Sequence, residues 1–308
     1  MKPLSVSLRR WFDSSVAEQP APGAPRIDWA GVLPFLLLHA GCFAVALVGC
    51  SPIALATAGG LYAVRMFAIT GFYHRYFAHR AFRTSRAAQL VFAVLGAAAV
   101  QRGPLWWASH HRHHHGHADK PTDAHSPRQH GFLWSHVGWF LDRANFAPRL
   151  RLIPDLARYP ELRWLDRFDI AVPALLALAL FGVGAALGRW APQLGTHGSQ
   201  LLVWGFCVST VVVYHATFTI NSLAHQFGAR RYATRDDSRN NPWLAMLTFG
   251  EGWHNNHHRY PAAARQGFFW WEVDITWYGL RLLAALGVIW DLRPVPIRVR
   301  DGHREVDA

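Results

Sequence analysis

Four long apolar stretches, arranged as two close pairs, limit this chain to a small set of folds. The first, at about residues 31–49, is long enough to cross a hydrocarbon layer as a helix rising about 1.5 Å per residue. It breaks at Ser51-Pro52, and the second stretch follows at about 53–73. So short a turn makes the two an antiparallel hairpin that returns the chain to its starting side. Stretches at about 170–188 and 201–223 form a second hairpin, whereas the apolar run 87–100 is too short to cross and is expected at the interface or inside a polar domain.

Four crossings place the N-terminus, the polar middle segment 101–169 and everything from His225 onward on one side. That side carries nearly all of the arginines behind the net charge of +12. The positive-inside rule makes it the cytoplasm. A basic chain invites a nucleic-acid reading, but arginines flanking apolar spans fit a membrane face instead, so no nucleic-acid partner is expected. Hydrophobic residues at 51 % against 16 % charged agree with a membrane protein. Cys42, Cys50 and Cys207 all lie in apolar spans without metal spacing and imply no disulfide framework. Residues 1–28 read as a cytoplasmic tail without a signal peptide, 29–292 as one membrane-embedded domain and 293–308 as a basic tail. The expected fold is an all-α integral membrane protein: four transmembrane helices carrying a helical cytoplasmic cap, multi-pass in a bacterial inner membrane with both termini inside. Arg65, within the second span, is expected to be structural.

The 19 histidines are not scattered. His74 and His79 stand in HRYFAH directly after the second span, His111, His114 and His115 in HRHHH, and His254, His257 and His258 in HNNHH. All eight fall on the cytoplasmic side, and two of the groups have HxxHH spacing. On a helix, residues i, i+3 and i+4 share a face and can aim several imidazoles at one point. His74 and His79, five apart, are about 140° out of register on a straight α-helix, so the helix must end or distort between them, or they serve different metals. Neutral imidazole suits iron, zinc, copper and nickel alike. His110, His113 and His114 also satisfy HxxHH, so the frame of the middle group is open on spacing alone. His225, at the cytoplasmic end of the fourth span with Asn221 one turn earlier, is either a further ligand or an interfacial histidine. His113, His117, His125, His130 and His136 read as loop or supporting residues, and His39, His197, His215 and His303 as unrelated to the metals.

Taken in order with these spans between them, HRYFAHRAF, HRHHHGHADKPTDAHSP followed by GFLWSHVGWF, NSLAHQFG, and SRNNPWLAMLTFGEGWHNNHHRYP resemble the membrane-bound fatty acyl desaturases of the stearoyl-CoA desaturase type. The likeness covers about residues 60 to 292. It implies a mushroom-shaped helical fold and two iron ions held by His74, His79, His111, His114, His115, His225, His254, His257 and His258. Asn221 falls where the family holds a metal-bound water, and Arg112 settles the frame in favour of His111. A kinked acyl tunnel is implied, with Trp107 and Thr217 near its bend; Tyr62, Met66 and Phe67 on the second span are expected to set chain length.

The activity so implied is the O2-dependent introduction of a cis double bond, delta-9, into a saturated C16 or C18 acyl chain carried as acyl-CoA. Ser109 and His110 stand where members often have a basic and an acidic residue that meet the CoA head, which leaves acyl-carrier protein and phospholipid esters as alternative carriers. Electrons must come from a separate ferredoxin, rubredoxin or cytochrome b5 type donor, since no fused donor is visible. An unactivated methylene has no acid–base handle, so the chemistry belongs to the cofactor. The rival readings are a lipid hydroxylase or other-position desaturase on the same scaffold, and a non-enzymatic membrane metal-binding protein. A zinc protease is disfavoured because HExxH is absent.

Overall fold

A computed structural model describes Arg9, residues 11–16, Ile27 and residues 29–302. His303, most of the expected N-terminal tail and the last six residues of the C-terminal one lie outside the described residues. Among those described, four helices are long and apolar enough to cross a bilayer: Gly31–Val48, Pro52–Ala78, Ala171–Trp190 and Gly198–His225. Local chemistry sets their ends. Gly49 takes a left-handed φ of 66° after the first span, and the Ser51 hydroxyl accepts from the Ala54 N–H at 3.1 Å with Pro52 in the first helical turn of the second. The second span runs past Tyr73, where the apolar run ended, because its last turns over Ala68–Ala78 widen into π-helix.

The fourth span is the hub. The other three pack along it, and half of it is buried while almost none of the first span is. Arg65 crosses to it from the second span, donating to Thr210 Oγ1 at 2.7 Å and to the Gly205 carbonyl at 3.3 Å, so its charge sits in a fully buried polar tie between helices.

The cap is built from α1 (Arg86–Ala97), α2 (Pro104–His117), α3 (Pro160–Arg167), α4 (His254–Arg259) and α5 (Ile275–Ala285), with shorter turns between. One small departure from an all-helical cap is a two-stranded antiparallel pair, β1 (Arg83–Thr84) with β2 (Ile289–Trp290), which ties the exit of the second span to the end of the domain. Its core is aromatic and aliphatic: Tyr73, Phe77 and Phe82 pack with Phe92, Leu105, Leu156 and Leu162, and the Phe72 and Phe92 rings stack 3.8 Å apart. This core clamps the end of the second span against α1, α2 and α3.

The start of α2, the helix bearing HRHHH, is capped from a distance. The preceding Gly103 has no side chain to cap with, and a Cβ there would fall 2.3 Å from Asp166 Oδ1. The space is used by Asp166 on α3, whose Oδ1 accepts from the Trp106 N–H at 2.7 Å. Burial drives the Asp166 carboxyl up to about 7, against the helix N–H that opposes it. The folded chain therefore keeps a proton there that the unfolded chain loses above the ordinary value of 3.8. Its contribution to stability is full below that value and is lost as pH rises through about 7. Replacing Asp166→Asn should leave stability near wild type at pH 4 and raise it by up to a few kcal/mol at pH 8. Denaturant unfolding in detergent at the two pH values checks this.

Candidate metal centre

The widened turns of the second span resolve the awkward spacing of HRYFAH. The His79 N–H donates to the His74 carbonyl at 3.2 Å, a bond spanning five residues, and this brings both imidazoles to one side with their ring centroids 4.9 Å apart. Of the two sequence alternatives, the helix distorts and both serve one cluster. All nine expected ligands converge, in two groups: His74, His79, His111, His115 and His257 in one, His114, His225, His254 and His258 in the other. Within each group one nitrogen per ring lies within 4.8 Å of all the others.

The HxxHH helices divide their ligands rather than aiming all three at one point. In α2 the i, i+4 pair His111 and His115 enters the first group, and the i+3 residue His114 enters the second. In α4 the assignment is reversed: His254 and His258 join the second group, and His257 the first. A rotation of about 100° per residue accounts for it, because adjacent histidines must diverge while those four apart stay nearly aligned.

Ring nitrogens face one another within each group. His74 Nε2 lies 3.0 Å from His257 Nε2, His79 Nε2 2.8 Å from His111 Nε2, His257 Nε2 2.9 Å from His115 Nε2, and His225 Nε2 3.1 Å from His254 Nε2. Two ligands at right angles on a metal with bonds of about 2.1 Å are about 3.0 Å apart, so the separations fit a shared cation. Carboxylates behind the rings assign their tautomers. Nδ1–H of His114 donates to Asp123, of His225 to Asp119 and of His258 to Asp236, each at 3.0 Å, and that of His74 to Glu251. The opposite nitrogen, Nε2, is thereby left with its lone pair toward the group. His258 Nε2 is buried without any hydrogen-bond partner, as a ligand awaiting a cation would be.

Electrostatics agree with this donor set. Burial, reinforced by neighbouring histidines, holds His79, His111, His115, His254 and His257 well below their ordinary value, and burial takes His258 down to about 4 against the pull of Asp236. They are neutral, as ligands must be. His114 is the exception, since Asp123 outweighs its burial and raises it. Burial alone would raise Asp119, Asp123 and Asp236, but the histidines they face keep all three well below the usual carboxylate range. A further cluster, His114–Asp123–His125, is this same support seen from behind. The Glu251 carboxylate is shared: it meets His74, Arg75 and Gln266, while Arg75 makes a two-pronged pair with Asp274 at 2.9 and 3.0 Å. None of these carboxylates was singled out from sequence. The signal available was position for three of them, because Asp119, Asp123 and Glu251 sit within ten residues of a histidine box in a chain with only 19 acids, whereas Asp236 lies well away from any box.

The other histidines fall mostly as expected. His113, His117 and His130 bond backbone carbonyls of Thr122, His113 and Asp123. His197 caps the start of the fourth span, at the end away from the cap. His39, His136 and His215 lie outside both groups but touch one another.

A cavity of about 250 Å³ reaches the centre, touching His74, His111, His114 and His254. Trp107, Thr217 and Asn221 line it; the Trp107 ring stacks on His111, and Gln101 donates to Thr217 Oγ1 at 2.8 Å. Tyr62, Met66 and Phe67 do not line it. The Tyr62 hydroxyl instead donates to the Leu247 carbonyl, and the second span meets the cavity through Ile69 and Thr70, close to His74, because the cavity bends away toward the first and third spans.

A model of the fatty acid desaturase family matches residues 50–293. The chain belongs to the fatty acid desaturase family. Among its relatives, the sn-1 stearoyl-lipid 9-desaturase of Anabaena variabilis is 38 % identical over 273 residues, covering 86 % of this chain and 93 % of that one. The delta-9 acyl-lipid desaturase 1 of Arabidopsis thaliana is 35 % identical over 87 % of this chain and 84 % of its own length. The acyl-CoA 5-desaturase AL21 of Anemone leveillei is 39 % identical over 78 % and 71 %. This chain is thus a membrane oxidoreductase acting on fatty acyl chains, with a histidine cluster suited to metal. Removing one supporting carboxylate, Asp236→Ala, should lower metal affinity by about 10- to 100-fold through His258. Metal content after dialysis against graded chelator reads this directly.

Proposed function

We propose that this desaturase holds two iron ions in its two histidine groups and uses O2 to place a cis double bond at delta-9 of a saturated C16 or C18 acyl chain. The observation that carries it is the division of nine converging imidazoles, buried or partly buried, into adjoining groups at one end of a largely apolar cavity. Iron there would supply the oxygen activation that an unactivated methylene pair requires. The chain's own residues do the rest. Trp107 and the Gln101–Thr217 bond shape the cavity where it passes the metals. Asn221, which lines the same cavity as His114 and His254, would hold a water there. The delta-9 position follows the names of two of the relatives described, and the arginine-rich cap supports a cytoplasmic orientation, which we assign to a bacterial inner membrane where a ferredoxin, rubredoxin or cytochrome b5 type partner delivers electrons.

Expression in a host lacking its own desaturase, with fatty-acid profiling by mass spectrometry, should show new mono-unsaturated C16 or C18 chains for the wild type and none for His257→Ala. An oxygen-retaining product would make the enzyme a hydroxylase instead. Chain-length preference follows the cavity wall: Ile69→Phe should shift products toward shorter chains, whereas Tyr62→Ala should leave the C16 to C18 ratio unchanged in the same profiles.

A further inference from the structure

We propose that the acyl chain enters this cavity sideways from the bilayer, still esterified to a membrane glycerolipid, through the seam between the cap-side ends of the first and third spans. The inference rests on the desaturase reading above and concerns its route of access. On the first span Gly31, Pro34, Phe35 and Leu38 line the cavity at helical spacing, and across from them stand Ile170 and Pro173 at the start of the third. These two spans scarcely touch each other, since each packs along the fourth. The outer face of the same stretch is exposed and apolar, with Leu37 58 % exposed, so a single helix separates the cavity from lipid.

That wall is fastened along one edge. His39 Nε2 lies 3.1 Å from His215 Nε2 on the fourth span, His215 Nδ1 lies 3.1 Å from His136 Nε2 in the cap, and His136 Nδ1 meets Ser222 Oγ at 2.9 Å. The contacts use opposite nitrogens of His215, so the rings run end to end instead of converging, which makes the trio a tie and not a metal site. Phe35 stacks on Tyr214 along the same edge. Along the edge facing the third span the described residues show no comparable chain of rings; at its cap end Trp11 and Ser14 line the cavity, and the Ser14 hydroxyl donates to the Asp166 carbonyl at 2.7 Å.

Of the described residues that line the cavity Arg102 is the one arginine, so a highly anionic head group finds few cations inside it. Ser109 and His110 are 0 % and 4 % exposed and bond the Trp106 and Ala147 carbonyls. Arg102 is paired with Asp169 at 3.3 Å, and Arg167 with Asp13 at 2.7 Å. A lipid whose head stays in the interface needs no cation cluster there.

The test uses the full-length, iron-loaded protein in dipalmitoyl-phosphatidylcholine vesicles containing a trace of the same lipid with a mid-chain diazirine, supplied with O2 and a ferredoxin, ferredoxin reductase and NADPH electron source. Photolysis should place adducts on Phe35, Leu38, Ile170 or Pro173. Pro34→Trp and Ile170→Trp, filling the seam from either side, should each cut labelling of the cavity and conversion of vesicle lipid by about tenfold. Leu37→Trp on the outer face should change neither. Adducts confined to outward-facing residues, or full labelling and conversion in both seam variants, would overturn the route. A parallel arm with palmitoyl-CoA separates the two claims: conversion of the thioester with vesicle lipid untouched sinks lateral entry and leaves the desaturase standing, whereas seam adducts without conversion of either substrate sink the desaturase reading alone.

Discussion

Unprotonated ring nitrogens pointed at one another inside a dry pocket are the constraint on which the rest of this structure depends. Burying a polar group without a partner is costly, and nitrogens that face each other about 3 Å apart with lone pairs inward cannot satisfy one another. Carboxylates behind four of the rings oppose the easy escape, which would be to flip a tautomer and make a histidine–histidine hydrogen bond. Asp123, Asp119, Asp236 and Glu251 keep the Nδ1 protons of His114, His225, His258 and His74 outward. A cation between the rings would satisfy the facing nitrogens of a whole group at once, so the protein is built around chemistry it does not itself possess.

Much of what positions these rings is remote from them in sequence. The second span must widen so that His74 and His79 meet, α2 must begin at the place where Asp166 can cap it, and α4 must be held over both by the bonds of Asn255 and Asn256 to the 231–240 segment. The buried Arg75–Asp274–Glu251 assembly joins this scaffold to the ligands, because Glu251 touches both Arg75 and His74. Breaking a buried charged network of this kind leaves an unpaired charge behind, so the support and the site are mechanically one object.

Much of this was legible in the sequence because the relevant signals are periodic. Apolar spans of crossing length gave four helices with ends wrong by only a few residues, and HxxHH spacing gave the metal-binding helices. What escaped depends on chain-distant contacts. Asp119 and Asp236 read as ordinary loop acids until His225 and His258 are seen beside them, since nothing local distinguishes a carboxylate that supports a ligand from one that faces solvent. Tyr62 was misplaced for a related reason: its position along the second span is right for reaching toward the bilayer, but the cavity turns toward the first and third spans instead. The His39–His215–His136 contact joins three segments whose histidines look unrelated one by one.

The crossed assignment of adjacent histidines has a mechanical corollary. His114 and His115 are neighbours on one helix yet belong to different groups, and so do His257 and His258. No carboxylate stands among the nine ligands to bridge the groups. Their spacing is therefore a ruler cut into the pitch of α2 and α4: a slip of either helix displaces both groups in the same stroke, and neither can be retuned without the other.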